Sequence, residues 1–122
     1  MVYRPIVGVV LSTIKDSIET IGIIDSGCDY TLINAEYAEE LGITPATCET
    51  AVVGGIADKG TPSFIAKIKL RIEGFEDIFE VNARFVPGMV VNVLLGEVDF
   101  FENFKVLFEK RQRKFSLIKS TS

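Results

Sequence analysis

The sequence predicts a mainly β chain folded as a single closed or nearly closed barrel, with one or two short helices. Three observations lead there. Residues 64–72 and 79–85 alternate apolar and polar side chains with a period of two, the pattern of strands buried on one face. Further short apolar or β-branched runs, at 6–14, 18–24, 51–53, 90–95, 105–108 and 115–118, are separated by turn-type residues. The length of 122 residues fits one domain spanning 1–122, and a 48% hydrophobic content supplies its core. Many short strands in so small a domain imply closure into a barrel.

The elements follow in order. Pro5 opens the first run, Lys15-Asp16-Ser17 reads as a turn, and 18–24 as the returning strand. Residues 34–42 read as a short helix, with Asn34 as N-cap, Glu36 in the first turn, Gly42 at the C′ position and Pro45 beyond the stop. The strand 51–53 runs into a glycine-rich loop at 54–60. Residues 74–77 turn between the two alternating strands. Residues 90–95 are apolar on both parities and read as a fully buried strand, and 97–103 as one or two helical turns. A last hairpin joins 105–108 to 115–118. No linker, low-complexity tract or short tandem repeat interrupts the chain.

Composition narrows the chemistry. The chain has no histidine, which excludes Ser-His-Asp and Cys-His nucleophile pairs, HExxH zinc sites and histidine-ligated haem or copper. Acid–base chemistry near neutral pH then falls to a carboxylate, Lys, Tyr or Cys, with carboxylates leading. The net charge of −4 and pI near 4.8 make nucleic acid an unexpected partner. The charge is uneven, net −9 over residues 1–104 and +5 over 105–122. The cluster Lys110-Arg111-Gln112-Arg113-Lys114 admits a phosphate-binding reading, but the alternation on either side favours a solvated hairpin turn. Cys28 and Cys48 are too few for a disulfide scaffold. No apolar run approaches the roughly 20 residues that span a bilayer, and Arg4-Pro5 breaks any secretory pattern at the start. A soluble cytoplasmic protein with no membrane partner is the expectation.

The most unusual local feature is Ile23-Ile24-Asp25-Ser26-Gly27, a carboxylate directly after a β-branched strand, followed by a hydroxyl and a glycine. About one chain in twenty of this length would carry such a triplet by chance at average residue usage. Taken alone it also reads as an ordinary strand exit, with Asp capping its own turn and Gly supplying a positive φ.

The order of features resembles the retropepsin family, the retroviral type of aspartic protease. Ile23-Ile24-Asp25-Ser26-Gly27-Cys28 is similar to its apolar-apolar-Asp-Thr/Ser-Gly-Ala signature. Val52-Val53-Gly54-Gly55-Ile56 lies where the family has its flap, with the strand 64–72 behind it. Val93-Leu94-Leu95-Gly96 resembles the second signature, and Val98-Asp99-Phe100-Phe101 extends it toward the form of cellular and bacterial members, as do Arg4-Pro5 and Glu40-Leu41-Gly42. The resemblance covers nearly the whole chain and implies the acid-protease barrel. It implies that Asp25 is the catalytic carboxylate, that Ser26 holds the site loop, and that Gly27 admits substrate near the backbone. It further implies substrate contacts from Asp29, Val53, Gly54, Gly55, Ile56 and Leu94. No metal or cofactor is implied.

Peptide hydrolysis of this type needs water activated between two carboxylates. Two such groups about 3 Å apart cannot both ionise, so they share a proton and act as base and acid. One Asp-Ser-Gly in 122 residues supplies half of that pair, so the resemblance implies a C2 homodimer acting on peptide or protein substrates. Several residues depart from the family pattern. Ser26 replaces the commoner Thr, and Cys28 replaces Ala and reads as a small buried apolar residue rather than a reactive thiol. Glu97 stands where viral members often have Arg paired with the Asp at the position of Asp29, so the loop's support must differ here. Pro62 removes a ladder donor from the flap's return arm, and residues 105–122 add a hairpin where viral chains end in one strand. These departures keep open an alternative, a catalytically silent peptide-binding or dimerisation module on the same barrel.

Overall fold

The protein is described by a computed structural model covering residues 5–25, 27–54, 60–101, 103–109 and 114–119. Nine strands occur among these residues: β1 (Ile6–Ser12), β2 (Ser17–Ile24), β3 (Leu32–Asn34), β4 (Glu49–Val53), β5 (Thr61–Ile72), β6 (Ile78–Val86), β7 (Val93–Leu95), β8 (Phe104–Glu109) and β9 (Lys114–Lys119). The first seven form one sheet in the order β1-β2-β7-β3-β6-β5-β4. An additional pairing of β5 with β1, from Val9↔Ile72 to Ser12↔Lys69, closes six of them into the expected barrel. Strand β4 stays outside the closure as an arm on β5.

The alternating segments behave as their pattern dictates. Between β5 and β6, Ile68, Leu70, Ile72, Val81, Ala83 and Phe85 are buried, while Lys67, Lys69, Glu80 and Asn82 face outward. Phe64 stacks on Phe85 at 5.4 Å between ring centroids. Pro62 is accommodated in β5 opposite Val52 of the edge strand. The first strand ends at Ser12 rather than residue 14. Thr13 N–H bonds to Asp16 O at 3.0 Å, closing the turn and leaving Ile14 fully exposed.

Two other expectations change. Residues 34–42 do not form a regular helix. Asn34 does cap, accepting from Glu36 N–H at 3.1 Å, but only Ala35–Tyr37 is a 3-10 turn. The chain then closes with Ile43 N–H on Ala38 O and Gly42 N–H on Glu39 O, with Gly42 at φ +74°. This is a Schellman stop reached before a second regular turn forms. Residues 90–95 are buried strand only over Val93–Leu95; the turn through Pro87 and Gly88 turns Val90 out to 99% exposure. Residues 97–103 hold a single helical turn, as expected, wound as a π-helix over Glu97–Phe101.

Among the described residues, the terminal strands β8 and β9 pair only with each other. An isolated hairpin is marginal in water, and Phe104 anchors this one. Its ring is 2% exposed and lies 5.0 Å from Phe75, 5.8 Å from Phe79 and 5.1 Å from Phe100. Lys119 also pairs with Asp77. The expected basic turn at 110–113 lies outside the described residues. Among those described, no helix is long and apolar enough to cross a membrane.

Candidate active site

Strand β2 runs parallel to β7, with Ile23 opposite Leu94 and Ile24 opposite Leu95. The chain leaves the sheet at Asp25, whose N–H makes a last ladder bond to Leu95 O at 3.0 Å. A tight turn follows. Cys28 N–H donates to Asp25 O at 3.1 Å, and Gly27 N–H donates to Asp25 Oδ1 at 2.9 Å. The carboxylate is thereby oriented while only half-buried. Gly27 is not left-handed, so it supplies room rather than a positive φ, and a Cβ there would stand 3.2 Å from Asp25 Oδ1.

The loop beyond is clamped by backbone from two other elements. Glu97 N–H donates to Cys28 O at 2.8 Å, Val98 N–H to Asp29 O at 2.9 Å, and Arg84 N–H to Thr31 O at 2.9 Å. Gly96 lies so close beneath the loop that a Cβ would strike Tyr30 O and come within 2.7 Å of Cys28 O. These amide contacts explain how Glu97 can occupy its position: the loop is held by main chain, with no side-chain ion pair between residues 29 and 97 needed.

Cys28 Sγ donates to Tyr30 O at 3.1 Å. Burial foremost, then the charges of Asp25 and Asp29, push its pKa up, against the Tyr30 hydrogen bond and Arg84, which lower it. The thiol therefore stays protonated and acts as a small packed group. Beside it, Thr31 is fully buried and its Oγ1 has no hydrogen-bond partner among the described residues. An unsatisfied buried hydroxyl is a net cost, so Thr31→Val is expected to raise folding stability by about 1 kcal/mol, read as a higher urea midpoint at unchanged m-value.

A cleft of about 360 Å³ opens over this loop. Of the sequence-derived candidates, Gly27, Asp29, Val53 and Gly54 line it, and Asp25 adjoins it through Gly27. Its roof is the end of β4, where Gly54 turns at φ +82°. Leu94 is paired between Ile23 and Leu32 and does not line the cleft. Ser26, Gly55 and Ile56 lie outside the described residues. Cys28 and Val52, read from the sequence as signature and flap-motif residues, also line it, and the sequence reading missed Tyr30, Leu32 and Arg84. Tyr30 and Leu32 were within reach as neighbours of Asp29; nothing local marks Arg84. A separate hollow of about 540 Å³ beside Lys15, Glu36 and Gly42 contains none of the candidates. Among the described residues no three His, Cys, Asp or Glu side chains gather as metal ligands.

A family model described as aspartyl protease matches residues 11–97. No curated protein is matched. Solved structures that share the fold include the following two. A retropepsin-like aspartic protease from Rickettsia conorii aligns with a TM-score of 0.60 at 14% identity, over 97% of this chain and 100% of that one. The retroviral protease-like domain of Ddi1 from Leishmania major aligns with a TM-score of 0.57 at 15% identity, over 96% and 90% respectively. The family match takes in the Asp25 loop and the β4 arm, which line or adjoin the cleft, and the Leu95-Gly96 segment that supports the loop. The chain has the retropepsin-like fold and belongs to the aspartyl protease family.

Proposed function

We propose that the protein is a homodimeric aspartic endopeptidase, in which Asp25 from each of two copies activates a water molecule for attack on a peptide bond. The observation that carries this reading is the mounting of Asp25. Its carboxylate stands at a strand end, held by Gly27 N–H at 2.9 Å beside a cleft roofed by β4. In the dimer one carboxylate takes the proton of the attacking water while the other gives its proton to the carbonyl oxygen. An extended peptide fits between the 27–30 loop below and the β4 arm above, and the apolar Leu32, Val52 and Val53 favour apolar side chains near the scissile bond.

The dimer has support on the outer face of β1 and β2. Ile6 opposes Ile23 and Gly8 opposes Ile21, so Ile6, Ile21 and Ile23 share one face, with the Glu73 side chain lying over Gly8 beside them. Ile6 and Ile21 are each more than half exposed, and the parity of Ile21 and Ile23 leads on to Asp25. An apolar face running into half of a site suits a second copy of the chain. The test is digestion of a peptide library at mildly acidic pH, with the oligomeric state measured by sedimentation. Specific activity should fall on dilution as dimer dissociates. A verified dimer that turns over no peptide would leave only the silent module, and full activity from a monomer would overturn the shared site.

A further inference from the structure

We propose that Arg84 selects an acidic side chain in the peptide held by the cleft, an inference that rests on the peptidase reading above. Among the described residues lining the cleft, Arg84 is the one cation. Its position is set by the fold. It pairs with Leu32 across β3 and β6, its N–H is held by Thr31 O, and its neighbours Ala83 and Phe85 are both turned into the core. Strand alternation therefore directs residue 84 away from the core, on the side where the cleft lies.

The guanidinium is oriented, and its donor edge is open among the described residues. Its Cζ lies 3.7 Å over the centroid of the Tyr30 ring. Stacking occupies the face of the group and leaves the N–H donors at its edge. Among the described residues no carboxylate or carbonyl accepts from that edge. A planar fork of donors, half-buried and held by an aromatic face, matches a carboxylate in two-point geometry. The opposing charge is Asp29, which lines the same cleft without forming an ion pair with Arg84. Asp29 is exposed and well hydrated, so its repulsion of an incoming acid is screened, whereas the half-buried guanidinium is not. Both charges reach the Cys28 thiol, Asp29 raising its pKa and Arg84 lowering it, so the two groups flank the same short stretch of loop. An extended peptide can then present a main-chain N–H to Asp29 and the side-chain carboxylate of an adjacent residue to Arg84. The preferred substrate carries Glu or Asp close to the scissile bond, among apolar neighbours that meet Leu32, Val52 and Val53.

The test compares extended peptide pools that are apolar around the centre and carry Glu, Gln or Lys at one flanking position at a time. Both kcat/KM and equilibrium binding to the dimer are measured. At one position the wild type should favour Glu over Gln by about tenfold, the worth of one charge-assisted contact, and the preference should shrink as salt rises. Arg84→Gln should bring that ratio to unity, Arg84→Lys should restore part of it, and Arg84→Glu should favour Lys instead. Loosening of Tyr30 alone would slow all peptides alike and leave the Glu/Gln ratio intact. A preference that survives Arg84→Gln, or its absence at every position in the wild type, overturns the proposal. The binding measurement keeps this outcome separate from a failure of catalysis.

Discussion

Asp25→Asn should leave a folded dimer that cleaves no peptide. Asn has the shape of Asp, and its amide oxygen can still accept from Gly27 N–H, so the turn built on that 2.9 Å bond survives. What disappears is the ionised group that takes the proton from water, and with it a loss of at least about 10³ in kcat is expected. The thermal midpoint should stay close to that of the wild type, which separates lost chemistry from lost structure. A mixing experiment goes further. When equal amounts of wild type and variant are exchanged to equilibrium, a site that needs Asp25 from both copies retains about one quarter of the activity. A site complete within each copy retains about one half. Activity unaffected by the substitution would remove Asp25 from the reaction altogether.

Gly96→Ala should damage the protein more than any other single methylene addition in this region. Gly96 is buried, and the added Cβ would strike the carbonyl oxygen of Tyr30 and approach that of Cys28 to 2.7 Å. Both oxygens belong to main chain fixed by neighbouring hydrogen bonds, so neither can swing aside as a flexible side chain would. Relief requires the 28–31 loop to separate from residues 96–98, breaking the Glu97–Cys28 and Val98–Asp29 bonds. A destabilisation of more than about 4 kcal/mol is expected, the range reserved for such collisions. Urea unfolding reads it directly. In whatever fraction still folds, turnover should fall with stability, since the same loop carries Asp25. A variant with wild-type stability would contradict the interlock.

The barrel was legible where a side-chain rhythm persists for many residues. Strands β5 and β6 are long, one face of each is buried, and the alternation survives intact. Strand β3 has three residues, fewer than two periods, and carries no rhythm of its own; its pairing with β6 and β7 makes it a strand. The apolar pair Val90-Val91 misled because hydrophobicity does not reveal that the Pro87-Gly88 turn directs Val90 into solvent. At the site, Asp25, Gly27, Asp29, Val53 and Gly54 were readable through the order of short motifs along the chain. Arg84 was not, because within its own strand it looks like any outward-facing cation. Only the parallel pairing of β3 with β6 sets it over Tyr30.

The strand pairing that shuts the barrel also governs how the chain must fold. Val9 meets Ile72 and Leu11 meets Leu70 across most of the first half of the sequence. The β2–β7 and β3–β6 pairs are likewise distant in the chain and parallel, so no tight turn can bring them together. Loop-closure entropy is lost before these contacts repay it, which places such a topology among slow folders, in the range of about milliseconds to seconds. Until that seam forms, β1 and β5 present unpaired edges, and the Ile6–Ile21 face carried by β1 and β2 adds apolar surface beside them that is open to other chains. The surface proposed to receive a second folded copy is therefore also the surface through which an unfinished one would aggregate.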